Sequence, residues 1–177
     1  EEVINVFDWF QLASKKEKRM VQLRRYLHQY PELSFEEKRT HDFIVNQLSQ
    51  LSCDIVTPVG RNGIKATFKG SENGPTIAFR ADFDALPIQE TNEFDFKSKN
   101  EGKSHACGHD THVAMLLAAT RALIEVKDEL PGTVRLLFQP GEETGDGGKS
   151  VVKQGVTRGV DSGFAIHIFT NFDLGYA

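Results

Sequence analysis

The sequence predicts an α/β fold in which a mixed β-sheet is flanked by helices. Segments with the apolar spacing of amphipathic helices alternate along the chain with short runs rich in β-branched and aromatic residues. Two of these runs are predominantly apolar, which is typical of strands buried on both faces. A chain of 177 residues is long enough for one compact core. Together these observations favour one α/β domain.

The amino-terminal part is expected to be helical. Residues 15–30 place their apolar side chains on one face of a helix, and Pro31 ends the pattern. A second helix follows Ser34, which we expect to be its N-cap. Glu36 and Glu37 then lie near the positive end of that helix, where acidic side chains are favoured.

The middle of the chain predicts strands. Residues 54–59, 64–68 and 76–84 are β-rich runs separated by glycine-containing turns. The polar segment 89–104 has few aliphatic residues and is interpreted as an excursion from the core.

The last third returns to alternating elements. Residues 111–126 predict an amphipathic helix that ends before Pro131. We expect a fully buried strand over residues 133–139, a short helix over residues 148–155 and a second buried strand over residues 163–169.

Charge and cysteine content narrow the class of protein. The chain has 21 Lys and Arg against 25 Asp and Glu, a net charge of -4, so no overall positive field attracts nucleic acid or an anionic membrane. Cys53 and Cys107 are too few for a disulfide framework. The acidic start lacks the basic, apolar pattern of a signal peptide. We therefore expect a cytoplasmic protein whose partner is a small molecule.

Potential metal ligands cluster in four stretches. Three lie at or beyond the carboxyl ends of predicted strands, where open α/β sheets bind ligands: Asp82 with Asp84, Glu142 with Glu143, and His167. The fourth precedes the long helix and contains His105, Cys107, His109 and His112. Thiolate, imidazole and carboxylate groups together suit a divalent transition metal.

Each of these residues has a second interpretation. Cys107 could ligate a metal together with His109, or be a nucleophile that a histidine activates. The Glu142–Glu143 pair could be solvated loop charge, or could divide metal ligation and proton transfer between them. His167, inside an apolar run, could be a core histidine.

Three further residue groups carry weaker signals. Asp82 and Asp84 could orient a ligating imidazole, pair with Arg80 or cap a turn. Cys53 is expected to be a structural thiol. The segment Gly147–Gly148–Lys149–Ser150 is similar to a phosphate-binding loop, but the first glycine of that pattern falls on Glu143, whose carboxylate would repel phosphate. Nucleotide hydrolysis is thereby disfavoured.

Five ordered motifs resemble a known family. They are RRYLHQYPELSFEE, RADFDALPIQE, SHACGHDTHVAMLLAA, LLFQPGEETGDGG and AIHIF. In this order they are similar to the M20 metallopeptidase family, and within it to the group of hippurate hydrolases, N-acyl-amino-acid amidohydrolases and auxin-conjugate hydrolases. The resemblance extends from about residue 15 to the end of the chain.

The resemblance implies a zinc-peptidase catalytic domain of the phosphorylase/hydrolase-like fold with two divalent metal ions, either zinc, manganese, cobalt or nickel. The implied metal ligands are Cys107, His109, Glu143 and His167. Glu142 matches the general base, and Asp84 matches the aspartate that supports the metal centre. Glu142 would take a proton from the attacking water and deliver it to the leaving amine.

The implied reaction is hydrolysis of an N-acyl amino acid, with N-acetyl, N-benzoyl and dipeptide-like amides as substrate classes. Members of the family are longer and carry a lid domain through which they form homo-oligomers, and a further histidine ligand near their carboxyl terminus. We therefore expect residues 1–177 to be the N-terminal part of the catalytic domain. A catalytically inactive metal-binding fragment and a thiol enzyme using Cys107 are the alternatives.

Overall fold

The computed structural model describes residues 7–171 and residue 173, apart from the side chain of residue 72. Residues 1–6, 172 and 174–177 lie outside the described residues. The helices are α1 (Trp9–Ser14), α2 (Glu17–Gln29), α3 (Lys38–Ser49), α4 (His109–Glu125) and α5 (Gly147–Lys153), with a 3₁₀ turn at Lys127–Glu129. The strands are β1 (Asp54–Val59), β2 (Gly63–Lys69), β3 (Glu72–Asp82), β4 (Pro131–Gln139) and β5 (Ser162–Ala165).

The five strands form one mixed sheet, which confirms the predicted fold class. Their order is β1-β2-β4-β3-β5. β2 pairs antiparallel with β1 and β4, whereas β3 pairs parallel with β4 and β5. In this register Asp82 lies opposite Gln139. The carboxyl ends of β3, β4 and β5 therefore share one edge of the sheet, where parallel α/β sheets carry their sites.

The core is formed where α2, α3 and α4 pack on the sheet. Leu23 and Leu27 of α2, four residues apart and on one face, are both buried, as are Leu117 of α4 and Phe138 of β4. α4 contacts both α2 and β3. The start of α4 is thus fixed beside the end of β3 by apolar packing on two sides. Among the described residues, no helix is long and apolar enough to cross a bilayer.

The prediction that Ser34 caps α3 is wrong. The Glu32 carboxylate accepts hydrogen bonds from the backbone amides of Arg39, at 3.1 Å, and Thr40, at 2.7 Å. Leu33 forms a parallel bridge with Ala85, and this contact carries Ser34 away from the helix. The Ser34 hydroxyl instead donates to Asp84 at 2.7 Å.

The prediction of a buried strand over residues 163–169 is also wrong. β5 ends at Ala165, and its four residues are exposed. β5 lies at the edge of the sheet, so β3 is its one neighbour in the described sheet. Phe164 and Ile166 remain 56% and 68% exposed. An apolar run indicates that a segment tends to be buried, but it does not indicate whether the strand lies at the centre or at the edge of the sheet.

Candidate metal centre

Gly108 brings Cys107 and His109 toward one point. Gly108 has a φ of +88°, a backbone conformation that residues other than glycine rarely adopt. It directly precedes the first residue of α4. A Cβ atom at this position would lie 2.3 Å from Cδ1 of Ile168. Glycine therefore satisfies both the backbone turn and the close approach of the segment that follows β5.

His109 is fully buried and presents its Nε2 atom to the site. Its Nδ1 atom lies 2.9 Å from the carbonyl oxygen of Asp84 and 3.2 Å from the Oδ1 atom of the same residue. Because a carbonyl oxygen only accepts, Nδ1 carries a hydrogen, and in the neutral ring Nε2 carries the lone pair. Burial alone would lower the pKa of His109, but the nearby carboxylates, first Asp84 and then Asp82, outweigh it and raise the pKa.

His167 also presents its Nε2 atom to the site. It lies two residues beyond β5 in an exposed segment, so it is not the core histidine that the alternative interpretation requires. Its Nδ1 atom is 2.8 Å from the carbonyl oxygen of Ile168 and therefore donates. Its Nε2 atom lies 3.4 Å from the sulfur of Cys107.

Glu142 and Glu143 follow β4 in a loop held by two buried carboxylates. Glu37 Oε1 accepts from the Gly141 amide at 2.8 Å, and Asp84 Oδ2 accepts from the Glu143 amide at 3.0 Å. A carboxylate oxygen of each glutamate lies 3.7 Å from His109 Nε2. Their side chains are 38% and 21% exposed, so Glu142 is the more open to water.

Asp82 and Asp84 each contact a different histidine. Asp82 accepts from Nδ1 of His112 at 2.6 Å and forms an ion pair with Arg80 at 2.7 Å. Asp84 lies after the end of β3 rather than within the predicted strand. Burial raises the pKa of both carboxyls, but hydrogen bonds, led by those from His112 and His109 respectively, outweigh it and lower both pKa values.

The thiol of Cys107 is poorly suited to act as an unassisted nucleophile. Burial, with the negative charges of Glu143, Glu142 and Asp82, raises its pKa to about 12. Without a cation beside it, the thiol therefore stays protonated near neutral pH. A divalent ion is the kind of neighbour that would favour the thiolate.

The donor set fits a divalent transition metal. In the described part of the chain, the buried atoms without a hydrogen-bond partner include three at this site: His109 Nε2, Glu143 Oε1 and Asp82 Oδ2, of which Asp82 Oδ2 is ion-paired with Arg80. His109 Nε2 is 3.7 Å from each of the two oxygens. Ligand atoms about 2.0–2.3 Å from one metal lie about 3–4 Å from each other. The two 3.7 Å distances therefore fit pairs of ligands on one metal.

Three groups of potential ligands overlap at His109. They are Cys107 with His109 and His167, His109 with Glu142 and Glu143, and Asp82 with His109 and His112, and the ligand atoms within each group lie within 4.8 Å of one another. All six residues that sequence analysis selected as metal ligands, base or supporting aspartate thus come together at one edge of the sheet.

Sequence reasoning did not assign roles to several polar residues around the site. Glu37 holds the loop before Glu142, and His112 contacts both Asp82 and the segment beyond β5. A helix predicted to begin at residue 109, as α4 does, rather than at residue 111 would have placed His109 and His112 three residues apart on one face. Glu37 gave no comparable signal, because its partner lies 104 residues away.

A buried charge cluster lies behind the first turn of α4. His28 contacts Asp110 at 2.7 Å and Glu90 at 3.0 Å, and Arg24 forms an ion pair with Asp110 at 3.0 Å. His105 is buried nearby, and burial lowers its pKa to about 4. This cluster ties the polar segment 89–104 to α2 and α4.

The fold and site define a metal-binding α/β domain with carboxylate, imidazole and thiol donors at the carboxyl edge of a mixed sheet. A family model described as peptidase family M20/M25/M40 matches residues 78–175, more than half of the chain. The chain belongs to this family, as the ordered motifs predicted.

Individual relatives agree with the family assignment. Thermostable carboxypeptidase 1 of Saccharolobus solfataricus is 44% identical over 159 residues, covering 88% of this chain and 40% of that protein. N-acetyl-L-cysteine deacetylase of Bacillus subtilis is 46% identical over 154 residues, covering 87% of this chain and 37% of that protein. The chain thus spans about 40% of the length of these curated relatives.

A solved structure of a relative has the same fold. A Bacillus subtilis protein described as a dinuclear metal binding peptidase from the M20 family superimposes with a TM-score of 0.84 at 43% identity. The match covers 88% of this chain and 44% of that one.

Proposed function

We propose that the protein acts in the metal-dependent hydrolysis of the amide bond of N-acyl amino acids. The observation that carries this proposal is the convergence of three groups of potential ligands on His109, whose buried Nε2 atom and the facing Glu143 Oε1 have no hydrogen-bond partner. A site of this kind is costly to bury unless a cation completes it. A relative named for deacetylation of N-acetyl-L-cysteine supports N-acyl amino acids as the substrate class.

We assign metal ligation to Cys107, His109, Glu143 and His167. The Nε2 atoms of the two histidines and the sulfur of Cys107 converge, and Glu143 Oε1 faces His109. Two divalent ions, for which zinc, manganese, cobalt and nickel are candidates, would polarise the scissile carbonyl and lower the pKa of the attacking water. The relative described as dinuclear supports the number of ions.

Glu142 is the proposed general base. It is the more exposed of the two loop glutamates, yet its Oε2 atom lies only 3.7 Å from His109 Nε2. A carboxylate between the solvent and the ligand atoms can take a proton from water entering the site and deliver it to the leaving amine. Asp84 supports the arrangement by fixing the tautomer of His109 and holding the Glu143 amide.

The decisive test compares Glu142→Gln with Glu93→Gln, a matched change at an exposed glutamate that pairs with Lys97. Each variant is stripped with a chelator, reloaded with zinc, manganese or cobalt, and assayed for amino acid released from N-acetyl and N-benzoyl amino acids. We expect Glu142→Gln to lose about 10²–10⁴-fold in kcat while binding metal as before. Full activity in Glu142→Gln would contradict the assignment of the base.

The same assay separates the alternatives. Because the chain spans about 40% of its relatives, we propose that residues 1–177 are the N-terminal part of a catalytic domain, and the assay is run on this chain and on one extended to the length of the relatives. Turnover by the 177-residue chain would exclude an inactive metal-binding fragment. Activity that survives chelation but is lost on alkylation of Cys107 would instead identify a thiol enzyme.

A cytoplasmic location remains part of the proposal. Both cysteines of the described chain are free thiols, which supports a reducing compartment.

A further inference from the structure

The segment that carries His167 has little regular structure to hold it. β5 pairs with β3 only through Ala165, and residues 166–169 are exposed and outside the sheet. Nevertheless His167 Nε2 lies 3.4 Å from the sulfur of Cys107. A contact other than strand pairing must therefore fix this segment.

The Ile168 amide provides that contact. It donates a hydrogen bond to Nε2 of His112 at 3.1 Å. The Ile168 side chain also lies against Gly108, where an added Cβ would approach its Cδ1 atom to 2.3 Å. Ile168, the neighbour of His167, is thus held from both its backbone and its side chain by the start of α4.

The partners of His112 determine its tautomer. A backbone amide can only donate, so Nε2 of His112 accepts and carries no hydrogen. Nδ1 then carries the hydrogen and donates it to Asp82 Oδ1 at 2.6 Å. Asp82 is itself buried and ion-paired with Arg80, which fixes the orientation of the imidazole ring.

This arrangement distinguishes His112 from the two proposed histidine ligands. His109 directs an Nε2 atom without a hydrogen-bond partner toward the site, and His167 directs its Nε2 toward the sulfur of Cys107, whereas the Nε2 lone pair of His112 is occupied by Ile168. His112 belongs to one of the three potential ligand groups. It could ligate a metal through Nε2 only by releasing the segment that carries His167.

We propose that His112 is a positioning residue, which Asp82 orients and which holds residues 166–169 so that His167 faces Cys107. The proposal rests on the proposed function only for the role of His167 as a metal ligand. Residues that do not touch the metal themselves but orient its ligands typically contribute 10–100-fold to metal affinity. Loss of the Ile168 contact should therefore weaken metal binding without removing any ligand.

Two nearly isosteric substitutions separate the two hydrogen bonds of His112. In His112→Asn the side-chain amide replaces Nδ1 and keeps the donor to Asp82, but nothing reaches Ile168. In His112→Gln the longer side chain places its carbonyl oxygen near the position of Nε2 and keeps the acceptor for Ile168. His167→Ala, which removes the proposed ligand itself, defines the largest effect.

Two readouts are independent of catalysis. Amide hydrogen exchange of residues 162–171 in the metal-free protein reports whether the segment is held. Titration with Co²⁺ against a competing chelator gives the affinity, and the thiolate-to-cobalt absorption band reports the bond to Cys107. We expect His112→Asn to lose protection of this segment and to bind Co²⁺ about 10–100-fold more weakly, whereas His112→Gln, which loses the orienting contact with Asp82 but keeps the acceptor for Ile168, loses less in both.

Clear outcomes overturn the proposal. Unchanged protection and affinity in His112→Asn would do so, and so would equal losses in both variants, because the effect would then run through Asp82 or packing. Independently of any variant, ¹H–¹⁵N correlations of the ring of His112 should show hydrogen on Nδ1 alone, and hydrogen on Nε2 would refute the assignment. If His167→Ala leaves the cobalt spectrum unchanged, the proposed ligand set fails, while amide exchange still decides the role of His112.

Discussion

The two sides of the candidate metal centre are built on different principles. The inner side consists of Asp82, Asp84, His109 and His112, whose exposures are between 0% and 3%. The outer side consists of Cys107, Glu142, Glu143 and His167, which are partly or fully exposed. Inner residues lie at the end of β3 and in the first turn of α4, two elements of the core. Outer residues lie in the loops before α4 and after β4 and β5.

The forces that orient the side chains differ accordingly. On the inner side, carboxylates contact imidazoles directly, so each side chain is fixed by another side chain. On the outer side, buried groups hold the backbone: Glu37 holds Gly141 and His112 holds Ile168. We infer that inner residues contribute mainly to stability, whereas contacts to the outer loops decide whether the ligands meet.

The largest expected effect is on the inner side, from Asp84→Ala. This change leaves Nδ1 of His109 and the Glu143 amide without the carboxylate, and it removes the partner of Ser34. We expect the free energy of unfolding of the metal-free protein to fall by about 3–5 kcal/mol, since buried charged networks lose this much when one partner is removed. Urea unfolding measures the difference.

Glu142→Ala is the matched change on the outer side. Its half-exposed carboxylate should contribute within about 0.5 kcal/mol to unfolding of the metal-free protein. Equal costs for Asp84→Ala and Glu142→Ala would show that the division between the two sides does not exist.

The buried charge cluster behind the inner side, which contains His28, Glu90 and Asp110, should make the free energy of unfolding depend on pH. Burial lowers the pKa of His28, but Asp110 and Glu90 outweigh it and raise the pKa. Protonated His28 therefore stabilises the fold below the ordinary histidine pKa, and this stabilisation is lost as the pH rises through the raised value. Burial raises the pKa of Asp110, but His28 and other cations outweigh it and lower the pKa. The contribution of Asp110 is lost as the pH falls through that lowered value.

His28→Phe tests this dependence while keeping an aromatic ring beside Phe94 and Phe96. We expect a loss of about 3 kcal/mol in the free energy of unfolding between roughly pH 4 and 6.5, where both charges are present. The loss should shrink as the pH rises through the raised pKa of His28. Urea unfolding across the pH range measures it, and a difference that does not change with pH would contradict the assigned charges.

The outer side is tested through Glu37, which is fully buried. Burial raises its pKa against the opposing hydrogen bonds from Asn62 and backbone amides. Glu37→Ala should cost about 2 kcal/mol of stability, because the Gly141 amide loses its acceptor, and should weaken metal binding about tenfold. Glu37→Gln keeps an acceptor of the same shape and should be milder in both measurements.

Asn62→Ala is the control for this effect. Asn62 donates to Glu37 Oε2 at 3.0 Å, whereas the Gly141 amide donates to the other carboxylate oxygen, Oε1. We expect a stability loss of about 1 kcal/mol with unchanged metal affinity. If Glu37→Ala and Asn62→Ala change metal affinity equally, Glu37 does not act through the loop.

Regular elements and local motifs were predictable from the sequence. α2, α4 and β4 follow the predicted segments closely, because apolar spacing reports which face of an element is buried. Cys107 and His109 could be paired from sequence, since one intervening glycine sets their geometry. Glu142 and Glu143 could be selected in the same way, because they are adjacent and closely follow a predicted buried strand.

Features that depend on distant contacts were not predictable. Glu37 reads as a surface charge at the start of a helix, yet its partner Gly141 is 104 residues away. His112 acquires its role from Ile168, 56 residues further along the chain. Residues 163–169 have the composition of a buried strand, but strand order in the sheet, which no local pattern encodes, places β5 at the edge.

The smallest effects concern the two candidates for capping α3, only one of which touches the inner side. Glu32→Ala and Ser34→Ala should each cost about 1 kcal/mol, the first by removing the acceptor for the helix amides and the second by removing a donor to Asp84. Combining each with Asp84→Asn separates them. Changes without shared partners add, whereas contacting residues do not. In urea unfolding, we therefore expect the stability losses of Glu32→Ala and Asp84→Asn to add in the double variant. The combined loss of Ser34→Ala and Asp84→Asn should be smaller than the sum of the two single losses. Additivity in both pairs would place Ser34 outside the inner side, despite its 2.7 Å contact with Asp84.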